Sequence, residues 1–223
     1  PVNPDLSLWL GAVERFYSCN VKNLGVIHRG FSTYEKTNYR NNPEWQIAIE
    51  LQNKFPDLPL ILDPSHIAGR RDIIFDLCQT ALGLNYDGFM IETHHDPDNA
   101  WSDAAQQVTP SNLIKIIKDL KIRKITDHAD EYKNNLNNLR TKINLVDSQL
   151  LDILGKRMNI AEEIGVLKKE NNVAVLQSKR WNEILEKMIA DGKKKDLSEQ
   201  FILRVFKAIH QESINHQQSI FKQ

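Results

Sequence analysis

The sequence predicts two domains of different fold class, an α/β domain followed by an all-α domain. Three observations support this prediction. All eight prolines and six of the nine glycines lie at or before Pro110. The segment before Pro110 alternates short apolar runs with amphipathic stretches, whereas the last 90 residues have a helical periodicity throughout. The charge changes as well: residues 1–133 carry 14 basic and 18 acidic side chains, and residues 134–223 carry 15 and 11.

The composition excludes several classes of protein. Of the 223 residues, 41% are hydrophobic and 26% charged, as in ordinary globular proteins. We expect no membrane segment, because no apolar run approaches the roughly 20 residues that a spanning helix needs. The formal net charge of zero predicts no nucleic-acid partner. With Cys19 and Cys78 as its two cysteines, the chain fits a reducing, cytoplasmic compartment, and its start at Pro1 rather than Met indicates a fragment or a processed product.

The first segment is predicted to contain three buried parallel strands, each followed by polar residues. The apolar runs are short and do not alternate, which is typical of strands covered on both faces, and they lie at 23–27, 58–62 and 88–91. Amphipathic helices are predicted at 8–16, 44–54, 72–82 and 110–120. Polar residues at the carboxyl ends of such strands carry the chemistry of α/β folds. Here these residues are Arg29, His66 and Glu92.

These residues suit two kinds of ligand. His66, Glu92 and the following Asp103 offer one imidazole nitrogen and two carboxylates, a set that suits a divalent Mn, Fe, Co or Zn ion. The alternative is a hydrogen-bonded histidine with two solvated acids. Arg29 has the planar fork that binds a phosphate, or it forms an ordinary ion pair. The residue types alone leave both pairs of alternatives open.

Four stretches of the first segment carry a family resemblance. They are PVNPDLSLWLGA, IHRGFSTYEKTNYRN, LPLILDPSHIAGRR and DGFMIETHHDPDNAWSDAAQQVTP. In order and spacing they resemble 3-deoxy-7-phosphoheptulonate (DAHP) synthases of the short (β/α)8-barrel type. The resemblance implies that residues 1–125 form the C-terminal half of a TIM barrel, whose family condenses phosphoenolpyruvate with erythrose 4-phosphate using a divalent metal. It implies that His66, Glu92 and Asp103 are metal ligands and that Arg29 binds phosphoenolpyruvate.

The family's other active-site groups have no counterpart in this sequence. A fourth metal ligand, which is a cysteine, and further substrate-binding lysine and arginine residues belong to the first half of the barrel. Cys19 and Cys78 fall on predicted helices and do not replace that cysteine. Half a barrel would leave its sheet edges open. We therefore expect the condensation from the full-length parent, or from this chain once a separate N-terminal half completes the barrel.

The second segment, residues 134–223, follows a predicted linker at 126–133 and has the pattern of three helices. The first helix, from about residue 130 to 171, would span roughly 60 Å, which is long for a compact monomer, so we expect it to pair with a second copy of the chain. The second helix is predicted to end before Gly192, and the third to begin at Asp196. The heptad stripe of the first helix consists of Leu136, Leu139, Ile143, Val146, Leu150, Ile153, Ile160, Ile164 and Leu167.

The three predicted helices direct polar and cationic side chains toward their shared interior. These side chains are Arg157, Lys168, Arg180, Ser213 and Gln217. Unpaired buried charge is costly and no acid lies on the same stripes, so a small dianion would supply the missing partner. The alternative is that the cations reach solvent along the helix edges. Arg140 lies 17 residues before Arg157, about 25 Å along one helix, which is too far for the same pocket but leaves it able to serve the pocket of a second copy.

The same segment contains LRTKINLVDSQLLDILGKRMNIAEEIGVLKKEN, LQSKRWNEIL and IHQESINHQQ. These stretches resemble the three helices of the all-helical chorismate mutases, which are dimers that need no cofactor. The resemblance implies that Arg157 and Arg180 bind the carboxylates of chorismate, together with Arg140 of the other subunit. It implies that Lys168 and Gln217 hydrogen-bond the ether oxygen of the substrate.

Ser213 would line this pocket beside two positions that depart from the family pattern. Trp181 stands where many members have a glutamate for the substrate hydroxyl, and Gln177 stands where many have an aspartate. The sequence thus predicts a bifunctional enzyme of aromatic amino-acid biosynthesis in the shikimate pathway, whose helical domain is a homodimeric chorismate mutase that yields prephenate. The alternative is that the helical domain is a non-catalytic dimerisation and regulatory module of the synthase.

Overall fold

The computed structural model describes residues 3–33, 37–122 and 130–222. The chain divides into two compact units, Pro1–Asp127 and His128–Gln223. The first half of the predicted linker, 126–129, lies outside the described residues, and its second half, 130–133, belongs to a helix of the second unit. In the described ranges, none of the helices combines the length and the apolar character needed to cross a membrane.

The first unit alternates helices with parallel strands, which confirms its predicted α/β class. Three strands pair in the order β1-β2-β3, with Val26 opposite Leu60 and Ile61 opposite Gly88. The third strand is shorter than the apolar run at 88–91 predicts. In chain order the elements are α1 (Leu6–Ser18), β1 (Val26–His28), α2 (Trp45–Lys54), β2 (Leu60–Leu62), α3 (Pro64–Ala68), α4 (Ile74–Gly83), β3 (Gly88–Phe89) and α5 (Pro110–Asp119).

Local sequence explains where these helices begin. Asp5 precedes α1 and accepts a hydrogen bond from the backbone N–H of Ser7. Thr109 precedes α5 and accepts one from the N–H of Asn112, while Pro110 occupies the first turn, where its missing N–H costs nothing. One face of the strands packs against the helices in an apolar core that includes Leu60, Leu62, Leu51, Ile67, Ile74 and Cys78. On the other face Ile27 is 40% exposed, so the predicted burial of the strands on both faces is wrong for β1.

A second, aromatic part of this core surrounds the end of β1. His28 is 1% exposed, and its ring lies within 6.0 Å of the rings of Trp9, Phe31, Trp45 and Tyr86. Its Nδ1 is 2.7 Å from the hydroxyl oxygen of Tyr86. Burial lowers the pKa of His28 to about 4. His28 is therefore a neutral core residue at neutral pH, and it fixes the backbone directly before Arg29.

The second unit consists of three helices, which confirms its predicted all-α class. They are α6 (Asp130–Glu170), α7 (Ser178–Lys193) and α8 (Glu199–Lys222), and α8 packs against both of the others. The 41 residues of α6 correspond to roughly 60 Å. Most of its apolar stripe is exposed in the single chain, with exposed fractions of 53–61% at Leu139, Ile143, Val146, Leu150 and Ile153.

Two helix ends in this unit differ from the predictions. α7 continues through Gly192 to Lys193, because this glycine serves close packing rather than a chain reversal: an added Cβ would lie 2.6 Å from Cγ1 of Ile202. α8 begins at Glu199 instead of Asp196. The hydroxyl of Ser198 accepts a hydrogen bond from the N–H of Phe201 at 3.3 Å and takes the capping role expected of Asp196.

Candidate functional site

The first candidate site lies at the carboxyl ends of β1, β2 and β3. α3 begins directly after β2, and Asp63 in its cap position accepts a hydrogen bond from the N–H of His66. A second oxygen of the same carboxylate is 2.7 Å from Nδ1 of His66 and 3.2 Å from Nε of Arg29. Asp63 is 2% exposed, so this buried carboxylate fixes both the imidazole and the guanidinium. Nε2 of His66 faces the other way, toward Glu92.

The structure brings the predicted metal ligands together. His66, Glu92 and Asp103 each offer one ligand atom, and these atoms all lie within 4.8 Å of one another. Nε2 of His66 is 3.5 Å from Oε1 of Glu92, whose backbone N–H is held by the hydroxyl of Ser65. A histidine that bonds a carboxylate through Nδ1 while Nε2 faces two further acids is the usual arrangement around a protein metal. The residues therefore fit a divalent ion.

Arg40 and Gln106 connect the two carboxylates of this set. One guanidinium nitrogen of Arg40 donates to Oδ1 of Asp103 and to Oε1 of Gln106, both at 2.8 Å. The amide nitrogen of Gln106 donates to Oε2 of Glu92 at 2.7 Å. Gln106 is 1% exposed, whereas the side chain of Arg40 is 51% exposed. The hydrogen bond from Arg40 lowers the pKa of the Asp103 carboxyl, which keeps this ligand ionised.

An open cleft of about 350 Å³ adjoins these residues. Arg29 and Arg40 lie in its lining, together with Asn41 and His66. The side chain of Arg29 is 56% exposed although its Nε bonds Asp63, so its other nitrogens face solvent and can bind an anion. The predicted anion-binding arginine and one predicted metal ligand, His66, thus border one cleft.

The second candidate site is a cleft of about 460 Å³ in the helical unit. α6 contributes Arg157 and Lys168, α7 contributes Arg180, and α8 contributes Ser213 and Gln217; Gln177 lies at the rim, just before α7. Six of the seven predicted mutase residues therefore share one cavity. Arg140 is absent from its lining within the described part of the chain, and it is exposed on α6.

Two of the three described cations of this cleft, Arg157 and Lys168, bond neutral oxygens, and the third, Arg180, lies 3.3 Å from Glu183. Arg157 donates to the hydroxyl of Ser213 and to the carbonyl of Ile209. Nζ of Lys168 is 2.6 Å from the carbonyl oxygen of Val175 and 3.1 Å from Oε1 of Gln217. Burial lowers the pKa of both cations. Among the described residues, none that lines the cleft is acidic.

A glycine on α6 sets the depth of the cleft. Gly165 is buried opposite Gln217, and an added Cβ would lie 3.1 Å from Cα of that residue. The close approach leaves Ser213 and Gln217 5% and 8% exposed, so their polar atoms are directed into the cleft rather than to bulk solvent. The spacing of polar residues on α8 predicts their common face, and the glycine explains how near that face comes to α6.

Several residues of the two candidate sites escaped the sequence analysis. Asp63, Arg40 and Gln106 lie within the DPSH, TNYRN and SDAAQQ stretches, but no local pattern indicates that they bond one another. His210 lies three residues before Ser213 and seven before Gln217, so helical spacing could have placed it in the cleft. Its ring stacks on that of Trp181, with a centroid distance of 3.9 Å and an interplanar angle of 19°.

Comparison with known families assigns a class to each unit. Residues 6–129 match the family model for the DAHP synthetase I family, which covers more than half of the chain. The chain therefore belongs to the DAHP synthetase I family. Residues 139–218 match the family model for chorismate mutase type II, so a mutase-type helical segment follows the synthase-type segment in one chain.

Individual relatives agree with this division. Phospho-2-dehydro-3-deoxyheptonate aldolase of Thermotoga maritima is 30% identical over 120 residues, which are 51% of this chain and 35% of that protein. The bifunctional chorismate mutase/prephenate dehydratase of Buchnera aphidicola subsp. Acyrthosiphon pisum is 34% identical over 89 residues, which are 40% of this chain and 23% of that protein. The chain thus spans about a third or less of these two relatives.

A similar structure comes from the same organism as the first relative. The crystal structure of the DAHP synthase of Thermotoga maritima has a TM-score of 0.49 and 25% sequence identity, over 53% of this chain and 34% of that chain.

Proposed function

We propose that the helical unit catalyses the rearrangement of chorismate to prephenate. The observation that supports this most directly is the charge of its cleft: Arg157, Lys168 and Arg180 line one cavity that has no acidic residue among its described lining residues. Chorismate carries two carboxylates and an ether oxygen, and so it supplies the negative charge that Arg157 and Lys168 lack, while Arg180 pairs at the rim with the exposed Glu183. The match of residues 139–218 to chorismate mutase type II supports the same proposal.

In this proposal the two arginines bind and orient the substrate. Arg157 and Arg180 take one carboxylate each, and their positions on different helices hold the two carboxylates at a defined separation. Holding the compact, reactive conformer is an orientation effect, which can supply a large part of the rate acceleration. The reaction itself breaks one carbon–oxygen bond and forms one carbon–carbon bond in a concerted step, so it needs no nucleophile and no proton transfer.

Lys168 and Gln217 act on the bond that breaks. Negative charge grows on the ether oxygen in the transition state, and donors fixed in advance stabilise such charge. Nζ of Lys168 is held by two oxygens, those of Val175 and Gln217, and the second bond positions the Gln217 amide as well. In this arrangement the ammonium and the amide NH₂ group both donate to the ether oxygen.

We further propose that the helical unit acts as a homodimer. The apolar stripe of α6 is exposed from Leu139 to Leu167, and such a continuous stripe is a typical interface. Pairing α6 with a second copy would bury the stripe and could bring Arg140 of that copy to the cleft. The substrate would then bind three arginines, two from one chain and one from the other.

For the first unit we propose a phosphoenolpyruvate and divalent-metal site of a DAHP synthase. His66, Glu92 and Asp103 would hold the ion, and Arg29 would bind the phosphoenolpyruvate. Such an ion supplies Lewis-acid polarisation of a carbonyl oxygen. The chain itself contributes the fixed ligand geometry through Asp63, and the anion site beside it. Condensation with erythrose 4-phosphate is proposed for the complete synthase.

The test of the mutase proposal is the loss of chorismate absorbance with the purified full chain, without added metal. We expect turnover by the wild-type chain and a loss of about 100-fold or more in the Arg157→Ala variant, because one carboxylate loses its partner in a buried cleft. A folded dimer of the wild-type chain that leaves chorismate unchanged would favour a regulatory helical module, and the replacement of family acids by Trp181 and Gln177 would then explain the inactivity.

A further inference from the structure

The walls of the helical cleft contain an aromatic pair that the proposed mechanism does not use. Trp181 on α7 and His210 on α8 both line the cleft, and both are half-buried. Their rings stack at 3.9 Å between centroids, nearly parallel at 19°. A stacked imidazole is restricted in rotation about its side-chain bonds, so its ring nitrogens occupy defined positions at the cleft wall.

The substrate hydroxyl needs a hydrogen-bond acceptor in the cleft. Chorismate carries a ring hydroxyl besides its carboxylates and ether oxygen, and a buried hydroxyl requires an acceptor for its proton. Arginine and lysine are donors only. Oε1 of Gln217 already accepts from Lys168, and the hydroxyl of Ser213 accepts from Arg157 while donating to the carbonyl of Ile209, so each oxygen keeps one lone pair beside a cation that already uses the other.

His210 differs from these groups because its ring is not already engaged in a hydrogen bond within the described part of the chain. Neither of its ring nitrogens has a hydrogen-bond partner among the described residues, so both remain available to a ligand. Burial, followed by the charges of Arg157 and Lys168, lowers the pKa of His210. Its imidazole is therefore neutral at neutral pH, with one N–H donor and one nitrogen acceptor. Gln177 also lines the cleft, but it is exposed at the rim and is held by no ring contact.

We infer that His210, oriented by its stack on Trp181, binds the hydroxyl of the substrate and sets the specificity of this cleft for a hydroxylated dicarboxylate. This inference rests on the mutase function proposed above. The imidazole nitrogen accepts the hydroxyl proton, and Trp181 contributes by fixing the ring rather than by a polar contact. The indole also excludes water from this wall, which strengthens the single hydrogen bond.

Two substrates separate this role from a structural one. The full chain is assayed with chorismate and with the analogue that lacks the ring hydroxyl, in the wild type and in His210→Phe, which keeps an aromatic ring for Trp181. We expect kcat/KM for chorismate to fall by about 10- to 100-fold in the variant, as for one buried hydrogen bond. The value for the analogue should change by less than about twofold, since it has no hydroxyl to lose.

The comparison of the wild type with His210→Phe needs a matched control and a rescue variant. His216→Phe changes another half-buried histidine of α8, which bonds Glu162 away from the cleft lining, and it should leave the ratio of the two substrates unchanged. His210→Gln returns an acceptor and should restore part of the chorismate rate, and it also serves if His210→Phe does not fold. Equal losses for both substrates, or none, would overturn the role of His210. A wild-type chain inactive on both substrates would instead refute the mutase function itself, and with it this inference.

Discussion

The two candidate sites differ in the partners of their cations. In the α/β unit every arginine of the site contacts a carboxylate: Arg29 lies 3.2 Å from Asp63, and Arg40 lies 2.8 Å from Asp103. In the helical unit the two innermost cations, Arg157 and Lys168, contact neutral oxygens. The first site is compensated within its own unit, whereas the second has excess positive charge that a ligand can neutralise.

This difference indicates what each site is organised to bind. Paired arginines and acids fix one another in place, and the carboxylates so fixed present a rigid ligand set to a cation. Desolvation destabilises unpaired cations in a half-buried cleft, and an anionic ligand offsets this destabilisation. The cleft therefore favours binding of a dianion. Substitutions in the α/β unit should therefore change metal binding but not chorismate turnover. Substitutions in the helical unit should change chorismate turnover but not metal binding.

The largest effect is expected at Lys168. Replacement of Lys168 by alanine should lower kcat for chorismate by about 1,000-fold, as when a fixed donor is removed from a developing negative charge. Lys168→Arg should also be poor, because a planar fork cannot replace a point charge. The control is Lys169→Ala, which removes the neighbouring exposed lysine that bonds the carbonyl of Ile220. Equal activity of Lys168→Ala and the wild type, measured by chorismate absorbance, would exclude this role.

A second large effect tests whether Arg140 of one chain completes the cleft of the other chain. Arg140→Ala and Arg157→Ala should each be nearly inactive alone. When the two variants are co-expressed, half of the dimers should be mixed, and each mixed dimer has one intact cleft, so about a quarter of the wild-type activity should return. Each variant expressed with itself is the control. Mixed dimers without recovered turnover would mean that Arg140 does not act across the interface.

The first unit should lose folding stability in acid, because its buried histidine His28 is held neutral. The pKa of His28 is about 4 in the folded chain and about 6.5 when unfolded, so between these values the unfolded chain binds a proton that the folded chain does not. Stability of the first unit is therefore present at pH 7 and lost as the pH falls toward 4, by about 3 kcal/mol.

Urea unfolding between pH 7 and 4, followed by tryptophan fluorescence, measures this loss. The double variant His28→Phe/Tyr86→Phe keeps the rings of the aromatic core and should remove about one proton from the pH slope of stability. His95→Phe, at an exposed loop position, is the control and should keep the slope. An unchanged slope in the double variant would show that His28 is not the group that titrates.

A smaller effect is expected in the metal site. Arg40→Ala should weaken binding of Mn²⁺ to the full chain by about 10- to 100-fold, because it releases both Asp103 and Gln106. Titration calorimetry with the metal alone measures this affinity. Arg70→Ala is the matched control, since Arg70 pairs with the exposed Asp72. If Arg40→Ala and Arg70→Ala bind Mn²⁺ alike, the arginine does not position the ligands.

The smallest effect is expected at the rim of the helical cleft. Glu183 lies 3.3 Å from Arg180, and both side chains are exposed. Glu183→Gln should lower KM for chorismate by about twofold or less, because an exposed ion pair of this kind contributes little and competes weakly with the substrate. Glu186→Gln, on the same helix, provides the comparison. A rise in KM for Glu183→Gln would mean that the carboxylate positions Arg180 for binding.

Local patterns carry much of the fold and many of the site residues. Short apolar runs predict the three strands and periodicity predicts the helices, because burial on one face imposes a fixed spacing. His66 and Glu92 are recognisable as polar residues that follow strands, and Asp103 as an acid further along the same segment. The ends of α7 and α8 were predicted wrongly, since Gly192 is explained by its contact with Ile202 on another helix. A glycine that ends a helix and one that allows close packing look alike in a sequence.

The sequence by itself determined the two fold classes, and it singled out the metal-ligand set and the cleft cations on which the synthase and mutase proposals rest. The tertiary structure alone decided which residues meet, including residues that the sequence did not single out. Arg40 and Gln106 form a hydrogen bond although they are 66 positions apart, and the rings of Trp181 and His210 stack although they lie on different helices. The physical reason is that spacing along one element records which face is buried, whereas the partner across that face is set by packing between elements.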